Sequence, residues 1–99
     1  MRVAVLDRAQ FPRDKVCAGW ITPQVVETLD LDLRDYARGR TLASIRRFRI
    51  GQIEGSSATA TDAAYGEVVS YGIRRCEFDQ YLLERSGADL HFEIGRAHV

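Results

Sequence analysis

The chain has 99 residues, of which 45% are hydrophobic and 28% charged, and this composition suits one small globular domain rather than a disordered or collagen-like chain. Fourteen Lys and Arg balance fourteen Asp and Glu, so no net field would attract nucleic acid or an anionic membrane. Cys17 and Cys76 lack CxxC or Cys/His spacing, which argues against a disulfide framework and a metal site. We interpret them as reduced thiols in a cytoplasmic protein.

Both ends of the sequence are interpreted as cut. The chain begins directly on an apolar run, and "IGRAHV", Ile94–Val99, equals the translation of a common sequencing adapter in one reading frame. The adapter's first two bases, AG, would complete a codon that fits Glu93. Residues 93–99 are therefore predicted to be a non-native tail, and His98 is excluded as a ligand or base. The genuine sequence would end near Phe92.

The first apolar run predicts a strand. Residues 3–6 are short, β-branched and bounded by charge, which is typical of a buried parallel strand that ends at Asp7. Residues 8–21 are expected to form a loop.

Two short helices are predicted next. Thr22 and Pro23 suit the N-cap and first position of a helix whose apolar stripe runs to about Leu29. A second helical turn through Tyr36 is expected to close on Gly39 as its C-cap.

The middle of the chain changes to β-branched and aromatic residues. Three segments, separated by "EGSS" and "DAAYG", predict three strands of an antiparallel meander. Ile45 and Ile53 fall on the opposite face from Phe48 and Ile50. A bulge near Gly51 would reconcile the two patterns.

The last part predicts a helix and a strand. Phe78, Tyr81, Leu82 and Arg85 recur at helical spacing and Gly87 ends the pattern, after which "ADLHF" begins a strand. The order β, loop, α, antiparallel β, α, β predicts an α/β fold, here an α+β fragment. It is typical of a nucleotide-binding layer into which a second sheet is inserted.

An acid at the end of an early strand is the first candidate for chemistry. In dinucleotide-binding folds such an acid accepts hydrogen bonds from ribose hydroxyls, about 20 residues after a glycine-rich turn. Asp7 has this place, although an acid after a strand is more often simply solvated. The glycine-rich turn would lie upstream of Met1.

Two motifs make the indication more specific. "VLDRAQFPRDKVCAGWITP" and the later "YGIRRCEFDQYLLERSGA" resemble the geranylgeranyl-reductase-like branch of FAD-dependent oxidoreductases, which shares its architecture with aromatic-ring hydroxylases and flavin-dependent halogenases. The resemblance covers residues 1–92. It implies a partial, Rossmann-like FAD-binding domain over 1–92, with residues 42–74 as the antiparallel sheet portion.

The resemblance also assigns residues. Asp7 matches the ribose acid, and the family's PRxKxCG-type loop and RxxFDxxL helix are matched by Pro12, Arg13, Lys15, Cys17, Arg75, Phe78, Asp79 and Leu82. Ala18 stands where the family often has Gly, and Gly19 remains. The residues implied to bind the cofactor are Asp7, Arg8, Arg13, Lys15, Cys17, Ala18, Gly19 and Arg75.

The chemistry of the loop suits a flavin, because fixed cations favour both its phosphates and its reduced ring. Taken alone, Arg13 and Lys15 would instead be solvated loop cations. Cys17 either lines the flavin or is a small buried residue. Arg75 is implied to contact the cofactor near its diphosphate or ribityl part, whereas Arg74 is expected at the surface. Asp79 is expected to cap or pair locally.

The implied function is reduction or oxidation of an organic or isoprenoid substrate through non-covalent FAD, with NAD(P)H as a candidate electron donor. The 99 residues alone are expected to be inactive. A monooxygenase or halogenase of the same fold and a small noncatalytic α+β binding module are the alternatives. An isoprenoid substrate would imply peripheral membrane association.

Two further parts of the sequence contain aromatic residues, the run at 46–49 and Trp20. The run "RRFR", residues 46–49, predicts a charged sheet edge rather than a nucleic-acid site, since it holds one aromatic residue in a neutral chain. For Trp20 the sequence leaves two roles open, contact with substrate and closure of the loop's own core.

Overall fold

The structure is a computed structural model that describes residues 1–95, and within them the protein has an α+β fold with small sheets. The chain forms two compact units. One combines Met1–Gly19 with the described chain from Arg74 onward, and the other is Trp20–Ile73. None of the helices in residues 1–95 is both long and apolar enough to cross a membrane.

Seven strands and three helices follow one another along the described chain. In order they are β1 (Ala4–Leu6), β2 (Trp20–Ile21), α1 (Pro23–Thr28), α2 (Leu33–Tyr36), β3 (Leu42–Ile45), β4 (Arg47–Glu54), β5 (Ser57–Ala64), β6 (Ser70–Ile73), α3 (Arg75–Ser86) and β7 (Asp89–His91).

A parallel pair of strands anchors the first unit. β1 pairs with β7 in the register Ala4 to Asp89 and Leu6 to His91, as expected for a strand that opens at "ADLHF". The prediction that β1 is buried is wrong, since Leu6 is 65% exposed. The physical reason is that β1 and β7 form a two-stranded sheet whose faces other described elements leave largely uncovered.

The long helix α3 supplies the core of this unit. It ends at Gly87, which adopts the left-handed conformation that the end of a helix often requires (φ 66°). Phe78 and Tyr81 are buried along its inner face, as the helical spacing predicts. Arg85 lies over the Tyr81 ring, 5.5 Å from its centroid.

The two short helices of the second unit have side-chain caps. Thr22 caps α1 as predicted, its Oγ1 accepting from the Val25 amide at 3.3 Å, and the helix ends before Leu29. The C-cap predicted at Gly39 is wrong. α2 ends two residues earlier, with Ala37 as its C-cap, since the Ala37 amide already bonds to the carbonyls of Asp35 and Leu33.

The predicted meander is also wrong, because its strands belong to two separate sheets. β6 lies between β2 and β3 in an antiparallel three-stranded sheet, whereas β4 pairs with β5 in a regular hairpin. β5 and β6 are therefore not neighbours, although they are consecutive along the chain.

The break between the sheets lies at Arg46. The carbonyls of Ile45 and Arg46 are successive, yet they accept from Val69 and Tyr65, so residues 66–68 loop out between these two bonds. The irregularity is therefore in the connection between β5 and β6, and the bulge predicted near Gly51 is wrong, since Gly51 pairs regularly with Ala60. Because Ile45 ends one sheet, its side chain need not match the alternation of β4.

The "RRFR" run begins the exposed hairpin. Arg49 pairs across the strands with Asp62, whose carboxylate accepts from the Arg49 Nε at 2.7 Å and raises the pKa of that guanidinium. Phe48 is half-buried and packs edge-on against Trp20 (5.5 Å between ring centroids) and Tyr65 (6.4 Å). Phe48 thus packs within its own unit, and Trp20 is one of its neighbours.

The start of the predicted tail lies in a turn. The Ile94 amide donates to the Asp7 carbonyl at 3.1 Å, while the Ile94 side chain is 48% exposed. Residues 96–99, including His98, lie outside the described residues. The non-native origin of residues 93–99 stays a prediction.

Candidate functional site

Asp7 stands at the carboxyl end of β1. Its Oδ1 accepts from the Ala9 amide at 2.8 Å, which fixes the turn that leaves the strand, and its Oδ2 lies 3.7 Å from an Arg13 Nη. A carboxylate offers about four acceptor positions, so these two interactions leave capacity for further donors such as hydroxyl groups.

Arg13 lies between two carboxylates. Its guanidinium sits 4.5 Å above the Phe11 ring, which in turn packs on Phe92 at 4.8 Å. Asp7 and Asp79 are each 3.7 Å from one of its terminal nitrogens, which is ion-pair distance but too long for a hydrogen bond. Within residues 1–95, Arg13 forms none of the hydrogen bonds that its five donors allow.

Asp79 bridges the loop and the helix. Its Oδ1 accepts from the Arg75 Nε at 2.6 Å, while its Oδ2 faces Arg13. The side chain of Asp79 is 14% exposed, and those of both arginines are partly buried. We call Asp7, Arg13, Arg75 and Asp79 the bridged cluster.

The charge state of Arg75 follows from its neighbours. The hydrogen bond to Asp79 raises the pKa of Arg75, and the Cys17 side chain raises it further. Arg75 therefore stays a cation at any pH at which the protein would be studied. Arg74 is exposed, as predicted, so it is the second of the two consecutive arginines that joins the cluster.

A pocket of about 240 Å³ opens beside the bridged cluster. Its polar wall is formed by Arg13, Arg75 and Asp79, and its apolar wall by Phe11, Leu82 and Leu83. The pocket thus presents two cations and one carboxylate against a hydrophobic surface. Such a lining suits an organic molecule that carries an anionic group.

Cys17 lies at the surface of the loop, so the alternative of a small buried residue is wrong. Its Sγ accepts from the Gly19 amide at 3.3 Å, and Gly19 has the left-handed φ of 79° that favours glycine. The same sulfur interacts with Arg75. The local turn and the helix therefore both contribute to the environment of this thiol.

This environment predicts selective thiol chemistry. A guanidinium beside a sulfur stabilises the thiolate, which is the reactive form, so Cys17 should be alkylated several-fold faster than the half-buried Cys76. Arg75→Ala should slow the reaction at Cys17 and leave Cys76 unchanged. Mass spectrometry after timed iodoacetamide treatment measures both rates. Equal rates at the two cysteines would contradict the described geometry.

Three of the residues implied to bind the cofactor, Arg8, Lys15 and Ala18, form no hydrogen bond or ion pair with the bridged cluster within residues 1–95. Arg8 and Asp7 line a second pocket, of about 400 Å³, together with Leu6 and Ile94. Lys15 and Ala18 are exposed and form no hydrogen bond or ion pair with any residue in the described chain. The sequence interpretation missed the bridge from Asp79 to Arg13. Of the two contacts that Asp79 makes, only the i,i+4 pair with Arg75 can be read from the sequence.

The bridged cluster unites segments that are distant in sequence, residues 7–13 and 75–79. Two guanidiniums can bind anionic oxygens, and the carboxylate of Asp7 can accept from hydroxyl groups. Comparisons with protein-family models, with curated proteins and with solved structures find no match to this chain.

Proposed function

We propose that this chain is part of a Rossmann-like FAD-binding domain of an oxidoreductase similar to the geranylgeranyl reductases. The observation that carries the proposal is the convergence of Arg13 and Arg75 on one carboxylate beside a pocket, where Arg13 donates no hydrogen bond to any residue of the described chain. Two motifs that serve one cofactor must meet in space. These two do so although about 60 residues separate them.

The described residues fit the chemistry of the cofactor. Asp7 would accept from ribose hydroxyls, and Arg13 and Arg75 would donate to oxygens of the diphosphate or ribityl part. FAD, when bound, supplies the hydride chemistry. The part of this chain in the reaction is then to bind and orient the cofactor.

The start of α3 adds a second line of support. Arg74 is its N-cap, without a side-chain capping bond, and Arg75 is its first residue. Cations at the positive end of a helix cost about 0.3–1 kcal/mol each, whereas an anion there is stabilising. A bound phosphate would therefore offset the unfavourable positive charge that Arg74 and Arg75 place at the N-terminal end of α3.

An NMR titration tests the proposal on the 99-residue chain. The sequence holds no GxGxxG turn, so we expect weak but saturable binding of millimolar FAD, with shifts concentrated at Asp7, Arg13, Cys17 and Arg75. Arg75→Ala should weaken binding by roughly tenfold to a hundredfold, because a hydrogen bond to a charged partner is worth about 1.5–3 kcal/mol.

Arg74→Ala is the matched control, since it removes an exposed cation from the same helix end. It should change FAD affinity much less than Arg75→Ala, and Arg75→Lys should retain part of the binding. Thermal melting of each variant checks folding. If saturating FAD shifts no residue of the bridged cluster in the parent, the noncatalytic α+β module is the better interpretation.

A further inference from the structure

Asp79 uses its two oxygens for two different segments. Oδ1 accepts from Arg75 on its own helix at 2.6 Å, and Oδ2 faces Arg13 on the loop at 3.7 Å. With a side chain only 14% exposed, it is the least exposed member of the bridged cluster. A single carboxylate thus sets the separation and orientation of both guanidiniums.

Helix stability does not explain this pair. An i,i+4 ion pair is weaker when the cation precedes the anion, as Arg75 precedes Asp79, and a cation in the first turn opposes the helix dipole. Gln80 and Glu84 form a second i,i+4 contact on the same helix, in which the Gln80 Nε2 donates to the Glu84 Oε1 at 2.9 Å. In the Arg75–Asp79 pair the carboxylate also reaches the loop, where its Oδ2 lies 3.7 Å from a terminal nitrogen of Arg13.

We propose that Asp79 is a positioning residue, which holds Arg75 and Arg13 so that both donate to the same anionic group of the cofactor. This inference rests on the proposed function. In this role Asp79 would act through the two arginines, since its own oxygens already face Arg75 and Arg13.

The expected effect comes from pre-organisation. An arginine without its partner samples several rotamers, and ordering it again on binding lowers affinity. Arg13 would also lose one of the two carboxylates that flank it. The loss of Asp79 should therefore weaken FAD binding by about tenfold, although no contact with FAD is removed.

The test compares three variants of the 99-residue chain. Asp79→Asn keeps the size of the side chain and removes its charge, Asp79→Glu keeps the charge and shifts it by one methylene, and Glu84→Gln removes an exposed carboxylate from the same helix. FAD affinity is measured by NMR titration. Solvent exchange of the Arg75 Nε proton reports the Asp79 bond without any ligand.

We expect faster Nε exchange and about tenfold weaker FAD binding in Asp79→Asn, partial recovery in Asp79→Glu, and parental behaviour in Glu84→Gln. Parental FAD affinity in a folded Asp79→Asn would overturn the inference and leave the proposed function standing. If Asp79→Asn does not fold, Asp79→Glu decides, and parental affinity there overturns the inference. A parent chain that does not respond to FAD overturns both.

Discussion

Phe78→Ala is expected to lower the free energy of unfolding by about 3–5 kcal/mol, the range for removing a buried aromatic side chain. Phe78 is 7% exposed and lies on the inner face of α3, where Tyr81 is the other buried aromatic residue. A chain of this size has a total stability of about 5–15 kcal/mol, so one such loss removes a large part of it. Urea unfolding followed by circular dichroism measures the change.

Val16→Ala is the control for Phe78→Ala. Val16 is an apolar residue of the same unit whose side chain is fully exposed, so its truncation should change stability by no more than about 0.5 kcal/mol. Equal urea midpoints for the two variants would show that α3 does not form the core of this unit.

Tyr36→Ala is expected to have a loss of similar size in the second unit, about 3–5 kcal/mol. Tyr36 is 1% exposed and is the most buried large side chain in residues 1–95. It belongs to α2, a helix of four residues that is too short to be stable without tertiary packing. Amide hydrogen exchange across residues 20–73 should increase in this variant.

Tyr65→Ala is the control for Tyr36→Ala, since it truncates a tyrosine of the same unit. Tyr65 is 49% exposed and makes one edge-on contact with Phe48, so its loss should cost about 0.5–1.5 kcal/mol. A larger effect from Tyr65→Ala than from Tyr36→Ala would mean that the packing of this unit centres on the hairpin instead.

The helices followed from the sequence more closely than the sheets did. Thr22, Pro23 and Gly87 are local signals, because caps act within a few residues and do not depend on the rest of the fold. Strand pairing depends on residues that are distant in sequence. The break at Arg46 arises from hydrogen bonds to Tyr65 and Val69, which no periodicity of β4 could indicate.

In the candidate site too, the sequence indicates local features but not contacts between distant segments. The two motifs imply eight cofactor-binding residues, and three of them, Asp7, Arg13 and Arg75, lie in the bridged cluster. That these residues bind a cofactor stays a prediction. The contact between Arg13 and Asp79 depends on the path of the loop, which includes the packing of Phe11 on Phe92. Sequence spacing carries no information on that path.

The looped-out residues 66–68 have a consequence for how this protein can vary. They lie between two hydrogen bonds that close the chain on either side, and a side chain added at Gly66 would meet no atom within 4 Å. Insertions or deletions at this point would therefore leave the pairing of β3 with β6 and of β4 with β5 intact. We therefore expect this loop to tolerate changes in length, including the insertion of a peptide tag.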